Sequence, residues 1–446
     1  MEVFRRLSSP RLALALALAF SACGDDAQPT NVTPEACDPT HRPIVMVHGF
    51  LASGDTWASF AKRFIANGYC PESLYALDYD SLSRVGAEEA LDALIDRALA
   101  ETGAEQVDLV GHSAGGSISY RYLRVPSQAA KVEVYAHLAS SPNPIEGVEP
   151  GPPGPADAPI QTVAIRSLAD TIVETEDIPG VLNFTLSDAD HYQVATSAKA
   201  FEDVFTYFNA GVKPKVKDVP TETAPVIAGK ALTLGENVPV AGWTLDVFPV
   251  DATTGRRLAD TPETRVTIAE DGSFGPINVS PTAHYELFLH GSGLADRPVH
   301  YFREPFTVSN RFVRLRALPP PGTLVGALFQ SIPFGLGHVD LIAFTESQAV
   351  VTGRDTLVVA GETMSTPALT AAERTAIAFF FFDEGEDRES GDEVAAFKDV
   401  LQVFLVAVDR YLKAGAVPVT LTFNGRTLVV PSLRSDPDGA IVATFD

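Results

Sequence analysis

The stretch that most constrains this chain is residues 106–124, QVDLVGHSAGGSISYRYLR. Residues 106–110 are short, apolar and β-rich. Gly111, His112, Ser113, Ala114 and Gly115 then spell G-x-S-x-G, and residues 116–123 suit a helix. A buried strand that turns this sharply into a helix lifts a serine hydroxyl above the sheet edge, at a helix N-terminus. Glycine is needed on both sides because side chains there would strike the neighbouring strand and helix. The bare pattern is weak, since it also arises by chance. The strand before it, the helix after it and the partners downstream give it meaning.

Strands and helices alternate around this turn. Strands are predicted over 43–47, 73–77, 106–110, 132–138, 162–166 and 181–186, and helices over 56–67, 86–102, 116–123 and 197–208. The second helix carries Leu91, Leu94, Ile95, Ala98 and Leu99 on one face. Such alternation implies an α/β domain over 41–211, a mostly parallel sheet with helices on both faces. Ligands of such sheets sit outside the carboxyl ends of the strands. Residues 141–159 are crowded with proline and glycine and read either as an irregular flap near the site or as a plain surface loop.

A linker is expected over 213–219. Residues 224–318 then run strand after strand, so 212–318 reads as an all-β sandwich or barrel. Residues 319–322 mark a further boundary, and 319–446 reads as a second β-rich subdomain. Its strands are expected at 341–344, 356–360 and 417–423. One helix is expected over 392–412, its apolar face carrying Phe397, Val400, Leu401, Phe404, Leu405 and Val408. Phe379, Phe380, Phe381 and Phe382 in a row suit a strand buried on both faces better than a lipid-contacting patch. A chain of 446 residues is too long for one compact core, which agrees with two or three domains.

The first residues read as a targeting segment. Arg5 and Arg6 precede the short apolar run LALALALAF at 12–20, too short to span a bilayer as a mature helix. Ser21, Ala22 and Cys23 resemble a bacterial lipoprotein box, which implies a signal peptide over 1–23, lipidation of Cys23 and a membrane-anchored, exported protein. The alternative is ordinary signal cleavage and secretion. Without aspartate directly after the cysteine, the resemblance favours the outer membrane in a Gram-negative source. Residues 24–40 read as a tether. Export permits disulfides. Cys37 and Cys70 each precede one of two consecutive parallel strands, so a bridge is expected, with two inert thiols as the alternative. The net charge of −24 argues against nucleic acid or an anionic membrane surface as partner. Oligomeric state is not legible.

A serine nucleophile needs a base for its proton, an acid to orient the base and donors for the oxyanion. On this scaffold the order along the chain is serine, acid, histidine. Ser113 comes first. His191 follows the last strand and precedes the closing helix, where the base belongs; His112 sits inside the turn and His137 within a strand. Asp170 follows its strand and is the favoured acid, with Asp177, Asp188 and Asp190 as rivals. The oxyanion donors are expected to be the amides of Ala114 and Phe50, with Leu51 as an alternative to the second.

IVMVHGF, VDLVGHSAGG, RSLADTIV and DHYQVATS resemble the signature blocks of the bacterial and archaeal triacylglycerol lipases of the α/β-hydrolase superfamily, over residues 43–208. HYFREPFTVSNRFVRLRALP resembles the β-rich C-terminal domain of the two-domain archaeal type, in which that domain takes part in lipid binding. The resemblance implies hydrolysis of carboxylic esters of acylglycerols or related lipids, with no organic cofactor. Calcium occurs in some relatives; the acidic run DEGEDRESGDE from Asp383 lacks ligand spacing and reads as a solvated loop. The chain departs from the pattern in showing no long amphipathic lid. A polyester depolymerase or peptidase on the same scaffold is the nearest rival. A surface-binding protein with a vestigial hydrolase domain is a rival of another class, and the intact serine, acid and histidine argue against it.

Overall fold

The computed structural model describes residues 37–446, apart from 142–148, 174–175, 294–295, 320–321, 401–402 and 416. The expected targeting segment and Cys23 lie outside the described residues, as do nearly all of the tether and much of the proline- and glycine-rich stretch.

A six-stranded sheet forms the N-terminal part, in the order β2 (Leu74–Leu77), β1 (Ile44–Val47), β3 (Val107–His112), β4 (Val132–Leu138), β5 (Gln161–Ser167), β6 (Leu182–Leu186). Every pairing is parallel. Successive strand side chains face opposite sides, and β1 shows the consequence. Val45 and Val47 pack against Leu91, Leu94 and Ile95 of α2 (Ala87–Thr102). Ile44 and Met46 pack on the other face with Phe60 and Phe64 of α1 (Ala58–Ala66) and with Phe201 and Phe205 of the closing helix Ala198–Phe208. A strand covered on both faces must be apolar throughout, as IVMV is. A disulfide joins Cys37 to Cys70.

The C-terminal region is all β apart from short helices, and its strands gather into three sheets of eight, four and three strands. Strands Val226–Thr233, Ser273–Asn278 and Asn310–Ala317 cover one face of the eight-stranded sheet through Ile227, Leu315, Leu287 and Val442. A four-stranded sheet, including Leu357–Val359 and Val419–Phe423, covers the opposite face through Leu421, Phe423, Ile441 and Phe445. Strand Ala378–Phe382 is buried along its whole length. Phe379 and Phe381 point into one core, and Phe380 and Phe382 into another with Phe329 and Phe397.

Two expectations need correction. The boundary at 318/319 does not divide the sheet: strand Val299–Arg303 pairs in parallel with Ala440–Phe445, the last strand of the chain, which pairs on its other side with Leu341–Thr345. The two stretches predicted as separate subdomains share one eight-stranded sheet. The helix expected over 392–412 is a short helix, Ala395–Val400, followed by strand Leu405–Asp409, which lies parallel to Ala378–Phe382. An apolar run at helical spacing is ambiguous when it also carries β-branched residues, and the neighbouring phenylalanine strand decided its state.

Candidate active site

Ser113 lies between β3 and α3 (Ala114–Tyr122) with φ 55° and ψ −124°, a backbone conformation costly for any residue but glycine. The glycines around it make the turn possible. A Cβ on Gly115 would lie 2.3 Å from the carbonyl oxygens of both Val47 and His48, and one on Gly111 would lie 2.8 Å from Gly116 Cα. The Ser113 amide donates to Leu138 O at 2.9 Å, which ties the turn to β4.

His191 and Asp170 meet at the same edge. Asp170 lies three residues past β5, and His191 follows β6 just before the closing helices. His191 Nδ1–H donates to Asp170 Oδ2 at 2.8 Å, and the two side chains are 2% and 1% exposed. The other carboxylate oxygen, Oδ1, accepts from the amides of Ile172 at 2.8 Å and Val173 at 3.4 Å. With Nδ1 carrying the proton, Nε2 holds the lone pair and is the basic nitrogen. That Nε2 is buried and has no hydrogen-bond partner among the described residues. The rival carboxylates are engaged elsewhere: Asp177 with Arg166, Asp188 with the Ser187 hydroxyl, and Asp190 with Arg354.

Ser113 and His191 are not joined by a direct hydrogen bond; His112 links their surroundings. Its ring lies 4.8 Å from that of His191, and its Nε2–H donates to the His191 carbonyl at 2.9 Å. Burial holds the His112 imidazole down at about 3, so it stays neutral and keeps this donor role. His48, directly after β1, stacks on Tyr79 at 4.4 Å and is pulled down to about 4 by burial. His48 Nε2, His112 Nδ1 and His191 Nε2 are buried imidazole nitrogens without hydrogen-bond partners among the described residues.

The loop after β1 crosses directly over the serine. A Cβ on Gly49 would lie 3.0 Å from Ser113 Cβ and 3.5 Å from Ser113 Oγ. This brings the loop at Gly49 beside the hydroxyl, and Leu51, two residues further on, takes φ 54°. Ala114 opens α3, where the first amides have no partner within the helix.

The C-terminal region roofs this site. Tyr192, next to His191, packs with Ala349, Ile377 and Phe404, and Phe50, Ile172 and Phe344 pack against that cluster. The Phe404 ring lies 5.9 Å from that of His191. From the sequence, His112 is set aside as the base and Phe404 falls only on the face of an expected helix, so neither is assigned to the site. The place of His112 immediately before the serine was the one available signal; nothing marked Phe404. Among the described residues, no three His, Cys, Asp or Glu gather as a metal site.

Residues 41–133 match the family described as lipase (class 2), and residues 224–320 match the lipase C-terminal domain. Among solved structures, a CIB-like hydrolase from Thermoplasma acidophilum is similar at 16% identity over 40% of this chain and 90% of its own, with a TM-score of 0.30. A Bacillus licheniformis lipase is similar at 17% identity over 39% and 94%, with a TM-score of 0.30. Naproxen esterase from Bacillus subtilis is similar at 15% identity over 39% and 86%, with a TM-score of 0.29. The parallel sheet with helices on both faces is the α/β-hydrolase arrangement. The two family matches, in this order, give the layout of a two-domain lipase with a β-rich C-terminal domain and support a lipase or esterase.

Proposed function

We propose that this chain, laid out as a two-domain lipase, is an exported serine hydrolase of carboxylic esters, acting on acylglycerols or related lipid esters. The observation that carries the reading is the Asp170–His191 hydrogen bond, 2.8 Å long, which leaves a basic Nε2 buried beside the strained turn of Ser113. The Ser113 hydroxyl attacks the ester carbonyl while His191 Nε2 takes its proton. The carbonyl oxygen becomes an oxyanion held by the Ala114 and Phe50 amides. When the carbonyl re-forms, the ester C–O bond breaks and His191 returns the proton to the leaving alcohol, which gives an acyl-serine. Water repeats the sequence and frees the acid. Asp170 fixes the imidazole tautomer and stabilises the imidazolium without itself taking the proton. Catalytic hydrogen bonds of this kind tighten as substrate binds, so the absence of a direct Ser113–His191 bond is compatible with the reading.

The disulfide between Cys37 and Cys70 supports export, because such bridges persist in oxidising compartments. Anchoring through a lipidated Cys23 belongs to the same proposal. A fluorophosphonate label on the purified chain tests the core of it. Labelling at Ser113 is expected, with loss of both labelling and p-nitrophenyl ester hydrolysis in Ser113→Ala. A folded chain that takes no label sinks the enzyme reading and leaves a binding protein.

A further inference from the structure

Three loops build the candidate site, and each is tied down from the C-terminal region. The loop after β1 is held by Arg316, whose Nη2 donates to Ser53 Oγ at 2.8 Å and to Asp55 Oδ2 at 2.6 Å, and by Asn237 Nδ2, which donates to Ala52 O at 2.9 Å. The Asp170 loop is held by Thr171 Oγ1, which donates to Ala372 O at 3.2 Å. The His191 loop is held by Thr196, whose hydroxyl donates to Ser347 O at 2.5 Å, and by Asp190.

The two oxygens of the Asp190 carboxylate do different work. Oδ1 faces inward and accepts from the amides of Tyr192 and Gln193, both at 2.9 Å, so it shapes the turn on which His191 stands. Oδ2 faces the C-terminal region and accepts from Arg354 Nη2 at 2.8 Å and from the Ala349 amide at 3.1 Å. Arg354 reaches Gln193 Oε1 through Nη1 at 3.1 Å and is itself fixed by Asp355 through Nε at 2.8 Å. Asp190 is 4% exposed, so this carboxylate is held within protein. The residue next to the base is thereby coupled, within one side chain, to a loop more than 150 positions later in the chain.

We infer that Asp190 and Arg354 are positioning residues of the catalytic histidine: the C-terminal region sets the place of His191 through this ion pair, and the site is incomplete without it. The inference rests on the serine-hydrolase reading above. A loop freed at Asp190 lets the imidazole drift, and a misplacement of about 1 Å in a catalytic group costs about 100-fold in rate. Because the pair acts through the loop that carries His191, its loss falls on kcat and leaves KM alone.

Asp190→Asn is the sharpest test on the full chain. Its amide oxygen still accepts from Tyr192 and Gln193, while its NH2 group confronts the Arg354 and Ala349 donors, so only the outward tie is severed. With p-nitrophenyl acetate we expect kcat to fall at least about 10-fold and KM to stay within about twofold. Arg354→Ala should give the same loss, and the double variant no more than either single one, because the two act as one unit. Arg434→Ala, in an exposed pair with Asp438, should match the unmodified chain. Amide hydrogen exchange over residues 189–196 should quicken in Asp190→Asn, a readout that needs no turnover. A folded Asp190→Asn that keeps kcat and exchange within about twofold overturns the inference, as do additive losses in the double variant. If the unmodified chain takes no fluorophosphonate and hydrolyses no ester, the functional reading falls instead, and exchange over 189–196 still decides whether Arg354 holds that loop.

Discussion

Each oxygen of Asp170 has its own task. Oδ2 takes the His191 proton donor at 2.8 Å and Oδ1 takes two backbone amides of its own loop, so the carboxylate cannot turn away from the imidazole. Asp170→Asn keeps the shape but presents an amide donor to Nδ1 and favours the wrong tautomer. On the proposed mechanism, kcat for a p-nitrophenyl ester falls by about 10⁴ with KM little changed. A variant within about tenfold of the unmodified chain would assign the orienting role to another group.

The strand–turn–helix from β3 into α3 is the element with the least room. A side chain on Gly115 meets two backbone carbonyls, of Val47 and His48, at 2.3 Å. Backbone cannot step aside as a flexible side chain can, so Gly115→Ala must push α3 off the end of β1. The expected loss is about 3 kcal/mol or more, read from urea unfolding by circular dichroism. A loss under about 1 kcal/mol would show that the turn has slack.

Across the whole molecule, the two parts are joined by buried ion pairs. Arg314 forks onto Asp78 at 3.0 and 2.9 Å, and the side chains are 3% and 4% exposed. Burial alone would raise the Asp78 carboxyl, but the Arg314 charge and hydrogen bonds outweigh it and hold the group at about 2. Arg314→Met leaves that carboxylate only the Gly54 amide at 2.8 Å and Lys230 at 3.8 Å, and should cost about 3 kcal/mol. A chain ending after Gly211 loses the arginines that hold Asp55, Asp78 and Asp190, and so frees the loops of the site, and it uncovers the apolar surface around Tyr192. It should therefore be insoluble or inactive even on p-nitrophenyl acetate. A soluble truncation with full short-ester activity would show that the C-terminal region is a detachable module. Acid should act on the same scale. Burial holds His48, His112 and His137 down at about 4, 3 and 4. Unfolded histidine titrates near 6.5, so between about pH 6 and 4 the unfolded chain binds more protons. Stability present above about pH 6.5 is then lost as the pH falls, by up to about 4 kcal/mol per unit if all three contribute. Buried carboxyls act the other way: burial raises Asp340 to about 8 and Asp108 to about 6 and also raises Glu346, so the folded chain gains protons there as the pH falls. The histidine share is therefore read by difference: the drop in melting temperature from pH 7 to pH 5 should be smaller in His137→Phe than in the unmodified chain, and an equal drop would contradict the burial of that ring.

Much of the α/β part was legible because its causes are local. A strand buried on both faces must be apolar throughout, a helix on a sheet must repeat at its own period, and a turn as tight as that at Ser113 admits only glycine at its contacts. Those demands write themselves into a few consecutive residues, so the predicted strands and helices of 43–208 fall within a few residues of those observed. Asp170 could be favoured over its rivals by its place after a strand. Its contact with His191 is a fact of three dimensions. The rest was decided by partners far away in the chain. Residues 405–409 are a strand because the phenylalanine strand beside them offers an open edge, and one sheet crosses the expected boundary at 318/319 because the final strand inserts between two earlier ones. The lock between Asp190 and Arg354 and the cover of Phe404 over His191 left no local trace. A short side chain with one polar end fits a surface turn as well as a buried clamp, and only the packed structure distinguishes the two.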